Sequence, residues 1–200
     1  MFKTISLAAI SLLMASEAFA LEIVLPEPQK IGGMPLMETL SMRHSQKAFS
    51  NEELDNQTLS NILWAAYGVN SEKGTRTIPT AMNKKDLSVY VAKKDGVWLY
   101  DADKNALKQI TDENILIAFD KQQYMDNVTS VLFYTGSKED FSVMHAGSAY
   151  QNVGLYAVSS GLANVVRGNF DKVAVAKAIS LPKDQQVIIS QAIGKPLNGE

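Results

Sequence analysis

Apolar positions in this chain fall into runs of distinct period. Leu59, Ile62, Leu63 and Ala66 recur at helical spacing behind Asp55, whose side chain can accept from the first free N–H groups; this predicts a core-facing helix. Gly68 stands where a left-handed C-cap would close it. Residues 87–92 and 96–100 alternate in strand fashion around Lys93, Lys94, Asp95 and Gly96, with Asp95 and Gly96 as the turn signal of a hairpin. Trp98 and Tyr100 on the second arm read as sheet-packing aromatics. A third short strand is expected at 107–110, and the apolar run SVLFY at 130–134 reads as a buried strand. Residues 141–160 form a long helix ending at Gly161, followed by LANVVRG, a helix over 171–179 and a closing strand, QQVIISQAI. Upstream, MPLMETLSMR reads as a short helix with Pro35 in its first turn, while 111–127 stays open between helix and irregular structure. Strands and helices interleave irregularly, so the predicted class is α+β and not a doubly wound parallel sheet.

Between these runs the polar punctuation is informative. Residues 21–33 contain Pro26, Pro28, Gly32 and Gly33 and are expected to be an extended leader without regular structure. Residues 69–85, broken by Pro79, make a long loop of a length often associated with function. Within the long helix Gly147, Gly154 and Gly161 recur every seven residues, nearly on one face. Each glycine costs about 1 kcal/mol against alanine, so the stripe suggests a backbone or flat ligand packed closely there, with chance placement or a simple cap as the competing explanation. Gln151 and Asn152 lie between the glycines, where a buried amide would need a partner.

Composition changes the picture at three points. Residues 1–20 have the organisation of a secretory signal: Lys3, an apolar stretch, then Ala18, Phe19 and Ala20 as the small-x-small cleavage site. The expectation is a chain exported to the periplasm or secreted, with residues 34–200 as one domain and no membrane insertion after cleavage. The absence of cysteine excludes disulfides, thiolate catalysis and iron–sulfur clusters. A formal charge of −2 gives no electrostatic reason to expect nucleic acid.

Candidate chemistry is sparse. His44 and His145 are too far apart in sequence for a metal motif, His145 reads as a structural helix residue, and the acidic residues look like solvated faces. No nucleophile elbow, Walker loop or dinucleotide fingerprint is present. The exception is RHSQKAF at 43–49. Arg43 can fork onto a phosphate, Ser45 can donate a hydroxyl hydrogen bond and Lys47 adds a second charge, although basic residues after a helix are most often only solvated.

Four segments taken in order resemble the flavin-dependent nitroreductase family: RHSQKAF; NILWAAYGVN with RTIPTAMN, closest to the branch that oxidises azoline rings; HAGSAYQNVGLYAVSSGLANVVRGNFD; and QAIGKP. The resemblance spans residues 34–196. It implies a three-layer α+β fold, a central, mainly antiparallel sheet flanked by helices, in a homodimer. It also implies FMN as cofactor, held by Arg43, His44, Ser45 and Lys47. Pro79, Thr80, Ala81 and Asn83 would come from the other subunit, Gly168 and Asn169 would lie near the ring, and Lys195 would be the remaining basic ligand near the carboxyl end. Gly168 stands where the family commonly has an acidic residue. The activity implied is hydride transfer through the flavin between a reduced small-molecule donor, NAD(P)H in the family, and a nitroaromatic, quinone or other organic acceptor. No catalytic side chain is then required, because the cofactor carries the chemistry. An exported flavin-binding or scaffold protein that has lost turnover is the alternative.

Overall fold

A computed structural model describes residues 21–138 and 140–197; the expected signal segment lies outside the described residues. Seven strands form one sheet: β1 (Glu22–Val24), β2 (Ser88–Lys93), β3 (Gly96–Asp101), β4 (Ala106–Thr111), β5 (Ser130–Ser137), β6 (Ala163–Arg167) and β7 (Gln185–Gly194). Their spatial order is β1-β4-β3-β2-β5-β7-β6 and every pairing is antiparallel. The four helices are α1 (Leu36–Met42), α2 (Asn56–Tyr67), α3 (Asp140–Ser159) and α4 (Lys172–Ala178). Among the described residues no helix is long and apolar enough to cross a membrane.

Period-two alternation sorts the strand residues onto two faces. Val89, Val91, Leu132 and Tyr134 join Leu59, Ile62, Leu63 and Ala66 of α2 and Ala146, Ala149, Val153 and Ala157 of α3 in one apolar layer. The alternate positions, Tyr90, Ala92, Val131 and Phe133, face a second layer with Phe119, Met125, Phe170 and Val175. Tyr90 and Phe133 sit opposite each other on paired strands with their rings stacked, centroids 4.9 Å apart. The result is three layers: α2 and α3, the sheet, then α4 with two short 3-10 turns, Leu116–Phe119 and Gln123–Met125. Those turns settle segment 111–127, which is irregular and not an α-helix.

Several expectations are corrected. The leader is not wholly irregular: Glu22–Val24 pairs with β4 at the sheet edge before Pro26 and Pro28 end the ladder, and Leu25 is buried. Asp55 does cap α2, accepting from the Thr58 N–H at 2.7 Å. Gly68, however, is extended (φ −66°, ψ 163°), not left-handed. Its lack of a side chain serves Trp64, whose Cδ1 lies 2.2 Å from where a Cβ would be and whose Nε1 donates to the Val69 carbonyl. The hairpin between β2 and β3 turns on Lys94 and Asp95, with Gly96 already paired to Lys93.

The glycine stripe on α3 has no backbone packed on it within the chain. The Tyr150 hydroxyl is nearest to a Cβ at Gly147, at 3.9 Å, and the Asn164 amide to one at Gly154, at 3.8 Å. Gly161, at φ +66°, is the left-handed cap. Asn152 finds its partners in the Ala65 and Thr77 carbonyls, and Gln151 is exposed.

Helix α1 has an inverted face. Its buried residue is Thr39, whose hydroxyl bonds back to the Pro35 carbonyl, whereas Leu36, Met37, Leu40 and Met42 are 43–75% exposed. Ile31, Met82, Val143 and Met144 add further exposed apolar side chains.

Candidate functional site

Arg43 is the C-cap of α1, and from it the chain runs on in extended conformation. The strip is pinned by the Gln46 N–H to the Asn164 carbonyl of β6, the Ser50 N–H to the Lys195 carbonyl and the Leu197 N–H to the Ala48 carbonyl. Phe49, 2% exposed, plugs it onto the core opposite Pro196. Arg43, His44, Ser45 and Lys47 are thereby held at the surface on a fixed backbone. Among the described residues the Arg43 and Ser45 side chains make no hydrogen bond or ion pair. His44 Nδ1 donates to the Met42 carbonyl at 2.8 Å, which leaves Nε2 for another contact. A cavity of about 220 Å³ lies beside the strip, lined by Met42, His44, Gln46, Val158, Gly161, Leu162 and Pro196.

Arg167, at the end of β6 and 3% exposed, organises the next part of this surface. Its guanidinium donates to the carbonyls of Phe119 (2.6 Å) and Asn169 (3.4 Å), to Gln122 Oε1 and to the Tyr124 hydroxyl. No carboxylate is among these partners. The Tyr124 ring receives Arg167 and Lys47 at the same centroid distance, 5.4 Å, which ties the strip to the end of β6 just before Gly168 and Asn169. Gly168 and Asn169 are exposed, and a Cβ on Gly168 would meet nothing within 4 Å. The Lys195 ammonium is engaged by Glu52 at 2.7 Å, a hydrogen-bonded surface pair that raises its pKa.

The loop carrying Pro79, Thr80, Ala81 and Asn83 lies at the other end of α3. Met82 (φ 51°) and Asn83 (φ 56°) are consecutive left-handed residues without glycine's freedom, a conformation that only surrounding structure can maintain. A relay of hydrogen bonds through the buried His145 and the half-buried Asp86 holds the residue before them. The Ala81 N–H donates to His145 Nε2 (2.9 Å), and His145 Nδ1 contacts Asp86 Oδ1 (2.8 Å). Asp86 Oδ2 accepts from the hydroxyls of Ser142 (2.8 Å) and Ser137 (3.2 Å). Burial works to raise the Asp86 pKa, but the donors Ser142, His145 and Ser137 outweigh it and hold the carboxyl below the ordinary 3.8. Pro79, Thr80, Ala81, Phe141, Met144, His145 and Ser148 enclose a mostly apolar cavity of about 300 Å³.

The structure therefore sets His44 against Gly161 and Leu162, links Lys47 through the Tyr124 ring to Arg167, the residue before Gly168, and places Pro79, Thr80 and Ala81, on the loop that carries Asn83, at a separate cavity. His145 and Val158, which line the two cavities, are thirteen residues apart on α3, or about 20 Å along the axis at 1.5 Å per residue. Sequence reasoning missed Asp86, which is not a solvated acid, and Arg167 with Tyr124. The one available signal was a charged residue set into an otherwise apolar run, as Arg167 is in ANVVR.

Fold and site together define an α+β protein in which one long helix separates a cationic surface from a strained, anchored loop. The chain belongs to the nitroreductase family, whose family model matches residues 40–195. A nitroreductase-like protein of Methanocaldococcus jannaschii is 32% identical over 171 residues, covering 75% of this chain and 85% of that one. A nitroreductase-like crystal structure from Ralstonia eutropha JMP134 superposes with a TM-score of 0.79 at 34% identity, over 88% of this chain and 90% of that one. Two more distant structures share the fold: the Escherichia coli microcin synthetase McbBCD complex (TM-score 0.68, 19% identity, 96% and 85% of the two chains) and an oxidoreductase containing FMN (0.60, 18%, 86% and 81%). Members of the family are oxidoreductases.

Proposed function

We propose that this chain is an exported, homodimeric FMN-dependent oxidoreductase that passes hydride between a reduced small-molecule donor, NAD(P)H or an equivalent, and a nitroaromatic, quinone or similar organic acceptor. The observation that carries this reading is the pinned strip of Arg43, His44, Ser45 and Lys47 beside an open Gly168, within a chain of the nitroreductase family. The donor set fits a phosphorylated flavin. Arg43 offers a guanidinium fork with no competing carboxylate among the described residues, Ser45 a free hydroxyl, and the bare Gly168 an open approach to its N–H. Lys195 can join them by exchanging Glu52 for the phosphate, because an exposed ion pair is weakly held.

When bound, FMN supplies the hydride acceptor and donor, and the protein supplies placement and electrostatics. Arg43 and Ser45 would orient the phosphate end, and Lys47, against Tyr124, would add positive charge near Gly168 and Asn169. The cavities beside the strip and the loop are lined by Val158 and His145, about 20 Å apart along α3, which favours a second copy as the source of Pro79, Thr80, Ala81 and Asn83. The exposed apolar residues of α1, with Met82, Val143 and Met144, supply the surface such a dimer needs. Export rests on the signal-like residues 1–20.

The test is the visible spectrum of the purified protein after incubation with FMN and gel filtration, followed by anaerobic addition of donors. A co-eluting flavin that a donor bleaches and an organic acceptor restores is expected. A colourless protein under every loading condition would sink the reading, and flavin that is held but never reduced would reduce it to binding alone.

A further inference from the structure

Hydrogen-bond polarity around His145 is fixed by its neighbours. The Ala81 N–H can only donate, so Nε2, 2.9 Å away, must present its lone pair. Nδ1 therefore carries the proton and donates it to Asp86 Oδ1 at 2.8 Å, while Ser142 and Ser137 satisfy the other carboxylate oxygen. The ring is 3% exposed, and the backbone group it holds immediately precedes the two left-handed residues Met82 and Asn83. This contact spans 64 residues of sequence and joins α3 to the loop, in which the Asn83 and Lys84 N–H groups bond to the local carbonyls of Thr80 and Ala81.

We propose that His145 is the positioning residue of the 79–83 loop, accepting the Ala81 N–H so that the loop keeps the shape in which it meets the flavin, and letting go when the imidazole takes a second proton. This rests on the reading that the loop contacts FMN. A proton on Nε2 would point at the Ala81 N–H, two donors face to face, and the loop must then move or leave an unpaired buried group. Among the described residues, the ionisable groups around the ring come from three elements. Asp86, just before β2, contacts Nδ1 directly. Tyr67 of α2 lies within electrostatic reach of Asp86. Lys84 of the loop lies over Phe141 on α3, 5.7 Å from the ring centroid. Protonation would leave the Asp86 contact intact and break the Ala81 contact, so the ring would stay while the loop is released.

The test titrates FMN into the full chain and its His145→Gln variant at pH 8, 7, 6 and 5. Glutamine can accept an N–H at every pH without gaining charge, and both proteins share His44 and the same ligand phosphate, whose own titrations cancel in the ratio. At pH 8 the variant is expected to bind several-fold more weakly than the wild type, and the ratio should close toward one by pH 5 as the wild type loses that several-fold advantage. Parallel losses would overturn the proposal. A second readout needs no flavin: long-range proton–nitrogen spectra of the two histidines should show His145 with its proton on Nδ1 at pH 8, and the Nε2–H tautomer would overturn the anchor. If the wild type takes up no FMN at any pH, the flavin reading itself fails, and the spectra alone decide the anchor.

Discussion

Arg43 illustrates how a single residue can be ready for a ligand. It caps a helix, sits on a backbone pinned a few residues further on, and has no acidic partner among the described residues, so little reorganisation stands between it and an incoming phosphate. A charge-assisted contact of this kind is worth roughly 1.5–3 kcal/mol, so Arg43→Ala should weaken FMN binding by about ten- to a hundredfold in a fluorescence titration while leaving the melting temperature in place. Asp86 makes the opposite case, a charge whose contacts are all internal. Its folded pKa lies below 3.8, so its contribution to stability is complete above that value and is lost as pH falls through the lower, folded value. The gap in melting temperature between the wild type and Asp86→Asn should be widest above pH 4 and narrow in stronger acid. A gap that widens on acidification would contradict the direction of the shift.

At the scale of elements, α2 is held by devices at both ends. Asp55→Ala removes the acceptor for the Thr58 N–H and should cost about 1 kcal/mol in denaturant titration. Gly68→Ala inserts a Cβ 2.2 Å from Trp64 Cδ1 and should cost about 1–3 kcal/mol by overpacking, with a change in Trp64 emission as the ring is displaced. The first effect was legible in the sequence and the second was not. A cap is a local arrangement, readable from an Asp placed before an apolar period, whereas the Trp64 ring folding over Gly68 is a packing outcome that leaves no spacing to read. The same division runs through the fold. The β2–β3 hairpin, β5, α2 and α3 carry their period on their faces. Three-residue β1 exists only because β4 offers it an edge, and the 3-10 turns between 116 and 125 exist because Phe119 and Met125 must reach the second layer. At the site, RHSQKAF was visible as clustered chemistry. The relay from Ala81 to His145 to Asp86 was not, because its members are up to 64 residues apart and each has an unremarkable sequence neighbourhood.

For the whole molecule, the proposed dimer follows from two independent facts: the separation of the strip from the loop, and an α1 that turns leucine and methionine outward. Light scattering of the flavin-loaded protein should give twice the chain mass. Met37→Asp, which places a charge on the outward face of α1 without touching the strip, should give monomers that have lost most of their flavin; monomers with full affinity would dissociate the loop from the site. The sheet order carries a further consequence, for the timing of assembly. Strand β7 is the last of the described strands in sequence yet sits between β5 and β6, and its exit at residues 195–197 pairs with residues 48–50. During vectorial synthesis or translocation, residues 48–50 emerge early and must wait for residues 195–197 before their backbone groups find these partners. The backbone beneath the strip is thus completed late in the folding of the described residues, and a chain that lacks residues 195–197 should capture cofactor poorly.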